Sequence, residues 1–189
     1  MPSPVGELLA AFARAMARAR IEWYLFGAQA AILNGAARLT ADVDVTVRLH
    51  PPATVNSLIQ AVETQGFSLR ASDRGLIERT RVIPLVHQDT AIPVDAILAG
   101  PGLEDQFFDR VTEKDVEGAR IPVASAEDLL IMKILAARPK DQQDAVAILA
   151  AQRETLDLAY ARRTLEMLEE ALMQSDLVPA FETLLRHTR

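Results

Sequence analysis

Asp42 and Asp44 open the stretch Asp42-Val-Asp-Val-Thr-Val-Arg48. Its strict alternation predicts a strand with Val43, Val45 and Val47 on one face and Asp42, Asp44 and Thr46 on the other. At a rise of about 3.3 Å per residue the two carboxylates sit roughly 7 Å apart and repel one another unless a cation stands between them. A hard divalent ion is the natural mediator, and Mg²⁺ typically uses one or two carboxylates together with substrate phosphates. The plain alternative is the solvated face of an amphipathic strand. Against it, aspartate is depleted in strands, and here it occurs twice.

The neighbouring sequence adds to the pair. Glu22-Trp-Tyr-Leu-Phe26 reads as a short buried strand cut by Gly27, and the small residues Ala28–Ala36 that follow suit a helix. A glycine at a strand-to-helix turn lets a phosphate approach backbone N–H groups. Downstream, Ile92-Pro-Val-Asp-Ala-Ile97 places Asp95 in an otherwise apolar run, where a carboxylate needs a partner, a proton or a metal. Three acids on adjacent strands beside a glycine turn suit metal-assisted nucleotidyl transfer, with two ions clamping the attacking and leaving oxygens. Asp95 would accept the proton of the attacking hydroxyl.

The elements that must position these residues follow from periodicity. Leu8, Leu9, Phe12 and Met16 lie at helical spacing within Val5–Arg20, and after the helix of small residues a third helical pattern over 53–64 is closed by Gly66. Phe67–Arg70 suits a strand. Arg79–His87 and Ala91–Leu98 suit a hairpin joined by Gln88-Asp89-Thr90, and Val111–Val116 with Ala119–Val123 a second hairpin. Ser125-Ala-Glu-Asp128 resembles a capping box leading into Leu129–Ala137, and helical patterns cover about 140–151, 155–173 and 176–187. The expected architecture is α/β (α+β), with a mixed sheet flanked by helices over residues 1–124 and a C-terminal helical bundle over 125–189 packed against it.

The stretch from Trp23 to Val47 resembles the nucleotidyltransferase fold superfamily, with its glycine turn, helix, Asp-x-Asp strand and third acid on a later strand. More narrowly it looks like the abortive-infection (AbiEii-type) nucleotidyltransferase toxins, whose second block is matched by Ala126-Glu-Asp-Leu-Leu-Ile-Met-Lys-Ile-Leu-Ala-Ala-Arg-Pro-Lys-Asp-Gln-Gln-Asp144. The resemblance implies Gly27 and Ala28 at the triphosphate turn, Arg38 and Thr40 on the nucleotide side, where Arg38 could hold a phosphate or merely cap the loop, and Asp42, Asp44 and Asp95 as metal ligands. It also implies Lys133 reaching back to the phosphates. Read from the residues, Lys133 could equally be a helix-surface lysine whose stem covers apolar neighbours. Asp141 and Asp144, three apart on one helix face, could pair with Arg138 or Lys140 or equally take a catalytic role. One departure stands out: Ala28 replaces the family's second glycine or serine.

The implied activity is an Mg²⁺- or Mn²⁺-dependent transfer of an NMP from an NTP to a hydroxyl acceptor, tRNA or protein, by the toxin-like member of a bacterial toxin–antitoxin or phage-defence pair, with a cognate antitoxin as partner. The alternative is a catalytically inactive domain of the same fold that binds a nucleotide or a protein.

Composition sets the outer bounds. The 189 residues are 50% hydrophobic and 24% charged, with net charge -6 and no cysteine. Disulfide and thiolate-metal sites are excluded, and a chain this long buries roughly 70% of its unfolded surface without staples. Residues 1–100 hold nine basic and nine acidic side chains, and the remainder eleven and seventeen. That balance speaks against a nucleic-acid binder working by bulk positive charge. No run reaches the 18 or more apolar residues of a spanning helix, and no basic, apolar leader opens the chain, so a soluble, cytoplasmic protein is expected. The histidines, His50, His87 and His187, show no metal-binding spacing.

Overall fold

The structure is a computed structural model, and it describes residues 2–40, 42–71 and 73–188. Contacts divide the chain into two compact units: Met1–Gln29 with Thr40–Ala124, and Ala30–Leu39 with Ser125–Arg189. The division falls inside helix α2 (Gly27–Leu33), so one short element carries residues of both.

The first unit is built on a sheet that has seven strands among the described residues: β1 (Glu22–Phe26), β2 (Val43–Arg48), β3 (Phe67–Leu69), β4 (Val82–His87), β5 (Ile92–Leu98), β6 (Thr112–Val116) and β7 (Ala119–Val123). Their spatial order is β3-β4-β5-β2-β1-β7-β6. The β2–β5 and β1–β7 pairs are parallel and the others antiparallel, so the sheet is mixed.

The period-2 pattern sorts the two faces. Trp23, Leu25, Val43, Val45, Val47, Val94, Ala96, Ile83 and Leu85 are buried. They share the face on which α1 (Pro4–Ala19) and α3 (Val55–Glu63) place Leu8, Leu9, Phe12, Leu58 and Val62. Phe12 meets the Trp23 and Phe67 rings edge-on, with centroids 4.9 and 5.7 Å away. Fully burying side chains of this size stabilises the fold by roughly 1.5–3 kcal/mol each. Ser3 caps α1 by accepting from Gly6 N–H, and Pro4 occupies its first turn, where a missing N–H costs nothing.

The other face carries Asp44 and Asp95, and near Tyr24 it is covered by a segment the sequence pattern does not show. Here α5 (Leu103–Gln106) and a 3-10 turn at Phe107–Arg110 lie over the strands. Tyr24 Oη donates to the Glu104 carbonyl, and Phe108 packs edge-on against the Tyr24 ring. Arg48 stacks over Phe108 at 4.2 Å while pairing with Glu22 and Asp105. That cover explains why Thr46, placed by alternation on the solvent side, is buried. A further helix, α4 (Arg74–Thr80), replaces the first part of the strand expected over Arg79–His87, so β4 begins only at Val82.

The second unit is helical: α6 (Ala126–Ala136), α7 (Pro139–Gln152), α8 (Leu158–Leu172) and α9 (Leu177–His187), joined by residues 30–39. In α6 the consecutive residues Leu129, Leu130 and Ile131 are all fully buried, the mark of a central rather than a surface helix. Ser125 caps α6 by accepting from Asp128 N–H, and the Asp128 carboxylate accepts from Tyr160 Oη at 2.8 Å. Residues 34–35 are fastened to α7. Gln152 donates to Asn34, and Gly35 (φ 108°) sits so close that a Cβ there would lie 2.4 Å from the Ala151 methyl. Among the described residues no helix is long and apolar enough to cross a membrane.

Candidate active site

Register brings two of the singled-out acids together. Asp44 on β2 and Asp95 on the parallel neighbour β5 are direct partners, so their side chains leave the same face from strands about 4.8 Å apart. On the other side of β2, Asp44 pairs with Phe26, the last residue of β1. The chain then turns at Gly27 with φ 68°, a conformation that costs a residue with a Cβ. Space imposes the same choice, since a Cβ on Gly27 would stand 2.1 Å from Asp44 Oδ2. The glycine turn and the carboxylate are thus in direct apposition.

Ala28 lies within α2 and is not among the residues of positive φ, so alanine is accommodated there without backbone strain. What it lacks is the hydroxyl that a serine would bring. Gln29 is buried and donates to the Thr40 carbonyl, closing the excursion of the chain between the turn and β2. Thr40 Oγ1 accepts from Asp42 N–H. Asp42 stands exposed just ahead of β2, which begins at Val43 rather than at the aspartate.

Asp95 is not the buried acid that its apolar neighbours suggest. Its side chain is 43% exposed and paired with Arg70, which is 39% exposed. Arg70 follows β3 and is tied down twice: its backbone N–H donates to the Pro84 carbonyl and its Nε to the Leu85 carbonyl, each at 2.9 Å. The guanidinium thereby crosses β4 to reach Asp95. Sequence reasoning missed Arg70 because its partner lies 25 residues on and nothing in the local pattern marks it.

Among the described residues no group of three or more His, Asp or Glu side chains is gathered closely enough to hold a metal ion. Asp44 and Asp95 do satisfy the smaller requirement of a Mg²⁺ site that draws its remaining oxygens from phosphates and water. The apposition of Asp44 to a turn with no room for a Cβ, with Asp95 its partner on the next strand, fits such an ion with a phosphate beside it.

The remaining singled-out residues meet within the helical unit. Lys133 is buried, and its Nζ donates to Asp141 Oδ1 at 3.0 Å and Asp144 Oδ2 at 2.7 Å. Asp144 Oδ2 also takes Arg38 Nη1 at 2.9 Å, and Asp141 is held by Arg138. Burial by itself pushes the Asp141 carboxyl up; the hydrogen bonds and charges of Arg138 and Lys133 outweigh it and hold the group below its ordinary value. Three cations thus surround two carboxylates that are only 1% and 4% exposed.

Solved structures share this architecture. A nucleotidyltransferase-like protein from Paracoccidioides brasiliensis, described as antigenic, superimposes with a TM-score of 0.57 at 18% identity, over 93% of this chain and 92% of that one. The antibiotic-resistance factor ANT(2'')-Ia in solution gives 0.60 at 15% identity, over 92% and 97%. Its complex with adenylyl-2''-tobramycin gives 0.57 at 15%, over 89% and 97%. At such identities the likeness concerns the fold. No curated protein matches the sequence. A family model described as "Nucleotidyltransferase of unknown function (DUF6036)" matches residues 7–186, nearly the whole chain, and the protein belongs to that family.

Proposed function

We propose that the protein is a divalent-metal-dependent nucleotidyltransferase that moves an NMP from an NTP onto a hydroxyl acceptor and releases pyrophosphate. The observation that carries this reading is the apposition of Gly27 to Asp44, with Asp95 beside it in register. Asp44 and Asp95 would hold the ion, with Asp42 at the exposed edge. Bound there, Mg²⁺ or Mn²⁺ supplies positive charge to the phosphates and to the attacking oxygen. Gly27 lets the turn stand directly against the Asp44 carboxylate, so that a triphosphate at the turn would lie beside the ion. The acceptor oxygen forms its bond to the α-phosphorus as the bond to the β-phosphate bridging oxygen breaks, and Asp95 takes the hydroxyl proton. Lys133 and Arg38 serve the ion network of the helical unit in this reading.

The acceptor is the finer question. The motif block at residues 126–144 supports an abortive-infection type of protein, whose acceptor is tRNA or a protein and whose partner is an antitoxin. A tobramycin derivative bound to one structural relative makes an aminoglycoside the control acceptor. Calorimetry with ATP, CTP, GTP and UTP in the presence of Mg²⁺ should show metal-dependent binding of at least one nucleotide, lost in Asp44→Asn. Equal binding by both proteins overturns the metal site. Label from an α-labelled NTP should then appear in tRNA or protein; label in the aminoglycoside alone overturns the toxin-like reading, and binding without any transfer points to a catalytically silent domain.

A further inference from the structure

The pairing of Arg70 with Asp95 has a specific place in this site. Asp44 and Asp95 stand side by side on adjacent parallel strands, and two carboxylates so placed raise each other's energy unless positive charge is close. Arg70 supplies such charge to Asp95. Its backbone N–H is held by the Pro84 carbonyl and its Nε by the Leu85 carbonyl, so the guanidinium is delivered to Asp95 by the framework of β3 and β4 rather than by chance of rotamer. The pair is nonetheless wet: both side chains are about two-fifths exposed, and an ion pair in that setting is held weakly. It is therefore easily displaced by a stronger competitor for the same oxygen.

Resting on the metal-site reading above, we infer that Arg70 is the exchangeable counter-cation of Asp95: it neutralises the acid in the metal-free protein and competes with the divalent ion for it. The Asp95 oxygen that accepts from Arg70 has fewer lone-pair directions left for a metal, and the guanidinium charge repels an arriving cation. Both effects act in the same direction. Removing Arg70 should tighten metal binding, whereas a residue that merely supported Asp95 would weaken it on removal.

The test is a titration with Mn²⁺ alone, with free ion followed by electron paramagnetic resonance, on wild type, Arg70→Gln, Arg70→Lys and Asp44→Asn. Arg70→Gln should bind Mn²⁺ about three- to fivefold more tightly than wild type, the scale of one exposed ion pair. Arg70→Lys keeps the charge but cannot span the Leu85 carbonyl and Asp95 together, so it should fall between the two, and it stands in if the glutamine variant fails to fold. Unchanged or weaker binding by the folded variant overturns the inference. Absence in wild type of any Mn²⁺ binding that Asp44→Asn loses overturns the metal site itself, and the inference with it.

Discussion

The protein holds two pairs of neighbouring aspartates, and their surroundings differ in every respect that matters. Asp141 and Asp144 lie almost fully buried in the helical unit, each tied to Lys133, with Arg138 on one and Arg38 on the other. Asp44 and Asp95 lie side by side on one face of the sheet, Asp95 nearly half exposed and paired with an arginine that water also reaches. A buried carboxylate must be matched by fixed cations, and once matched it has little capacity left for a ligand. A wet carboxylate beside another keeps that capacity. The contrast teaches that counter-charge and burial, more than the presence of acids at a given spacing, separate framework from candidate chemistry.

The largest effect expected from this contrast comes from Lys133. Lys133→Met leaves two buried carboxylates short of a cation, and truncating one member of such a network typically costs about 3–5 kcal/mol. Urea unfolding should show that loss; a change below about 1 kcal/mol would mean that Lys133 does not hold the helical unit together. Gly27→Ala comes next. Its φ of 68° and the 2.1 Å approach to Asp44 Oδ2 together predict a destabilisation of about 1–3 kcal/mol and loss of metal-dependent nucleotide binding. Retained binding in that variant would separate the turn from the site.

Acid exposes the same division. The Asp141 carboxyl is held below its ordinary value, so the stability it supplies is fully present above about pH 3.9, the unperturbed aspartate value, and is lost as pH falls through the depressed one. Circular dichroism during acid titration should show helix loss developing below about pH 4 in the wild type. Asp141→Asn should be less stable near neutrality and should lack that part of the acid dependence. Parallel acid curves for the two proteins would remove Asp141 from the account.

Much of this was legible in the sequence where one face of an element is buried. The alternation of Val43, Val45 and Val47 marks β2, and Gly27 marks the turn, because both signals are local. Of the acids' partners, only Arg138 on Asp141, three residues away on the same segment, was legible; the long-range ones were not. Arg70 reaches Asp95 across an intervening strand, and Lys133 meets Asp141 only because the chain reverses at Ala137 (φ 53°) before Pro139 starts α7. Helix α4 escaped notice because its seven residues carry no side-chain cap and run into β-branched residues at Thr80 and Val82. The cover over Tyr24 was missed for a related reason: α5 is a single turn, too short to show a periodicity.

The smallest expected effect is the one that most sharpens the comparison. Arg70→Gln removes an ion pair to an aspartate, as Lys133→Met does, yet both members of the Arg70–Asp95 pair are substantially hydrated. Water replaces the lost contact on each side, and the Nε bond to the Leu85 carbonyl can be taken over by solvent or by the glutamine amide. Stability should therefore change by no more than about 1 kcal/mol. Urea unfolding of the two variants side by side gives the ratio directly. A cost for Arg70→Gln approaching that of Lys133→Met would show Asp95 to be anchored as framework, and the distinction between the two aspartate pairs would then fail at its weaker end.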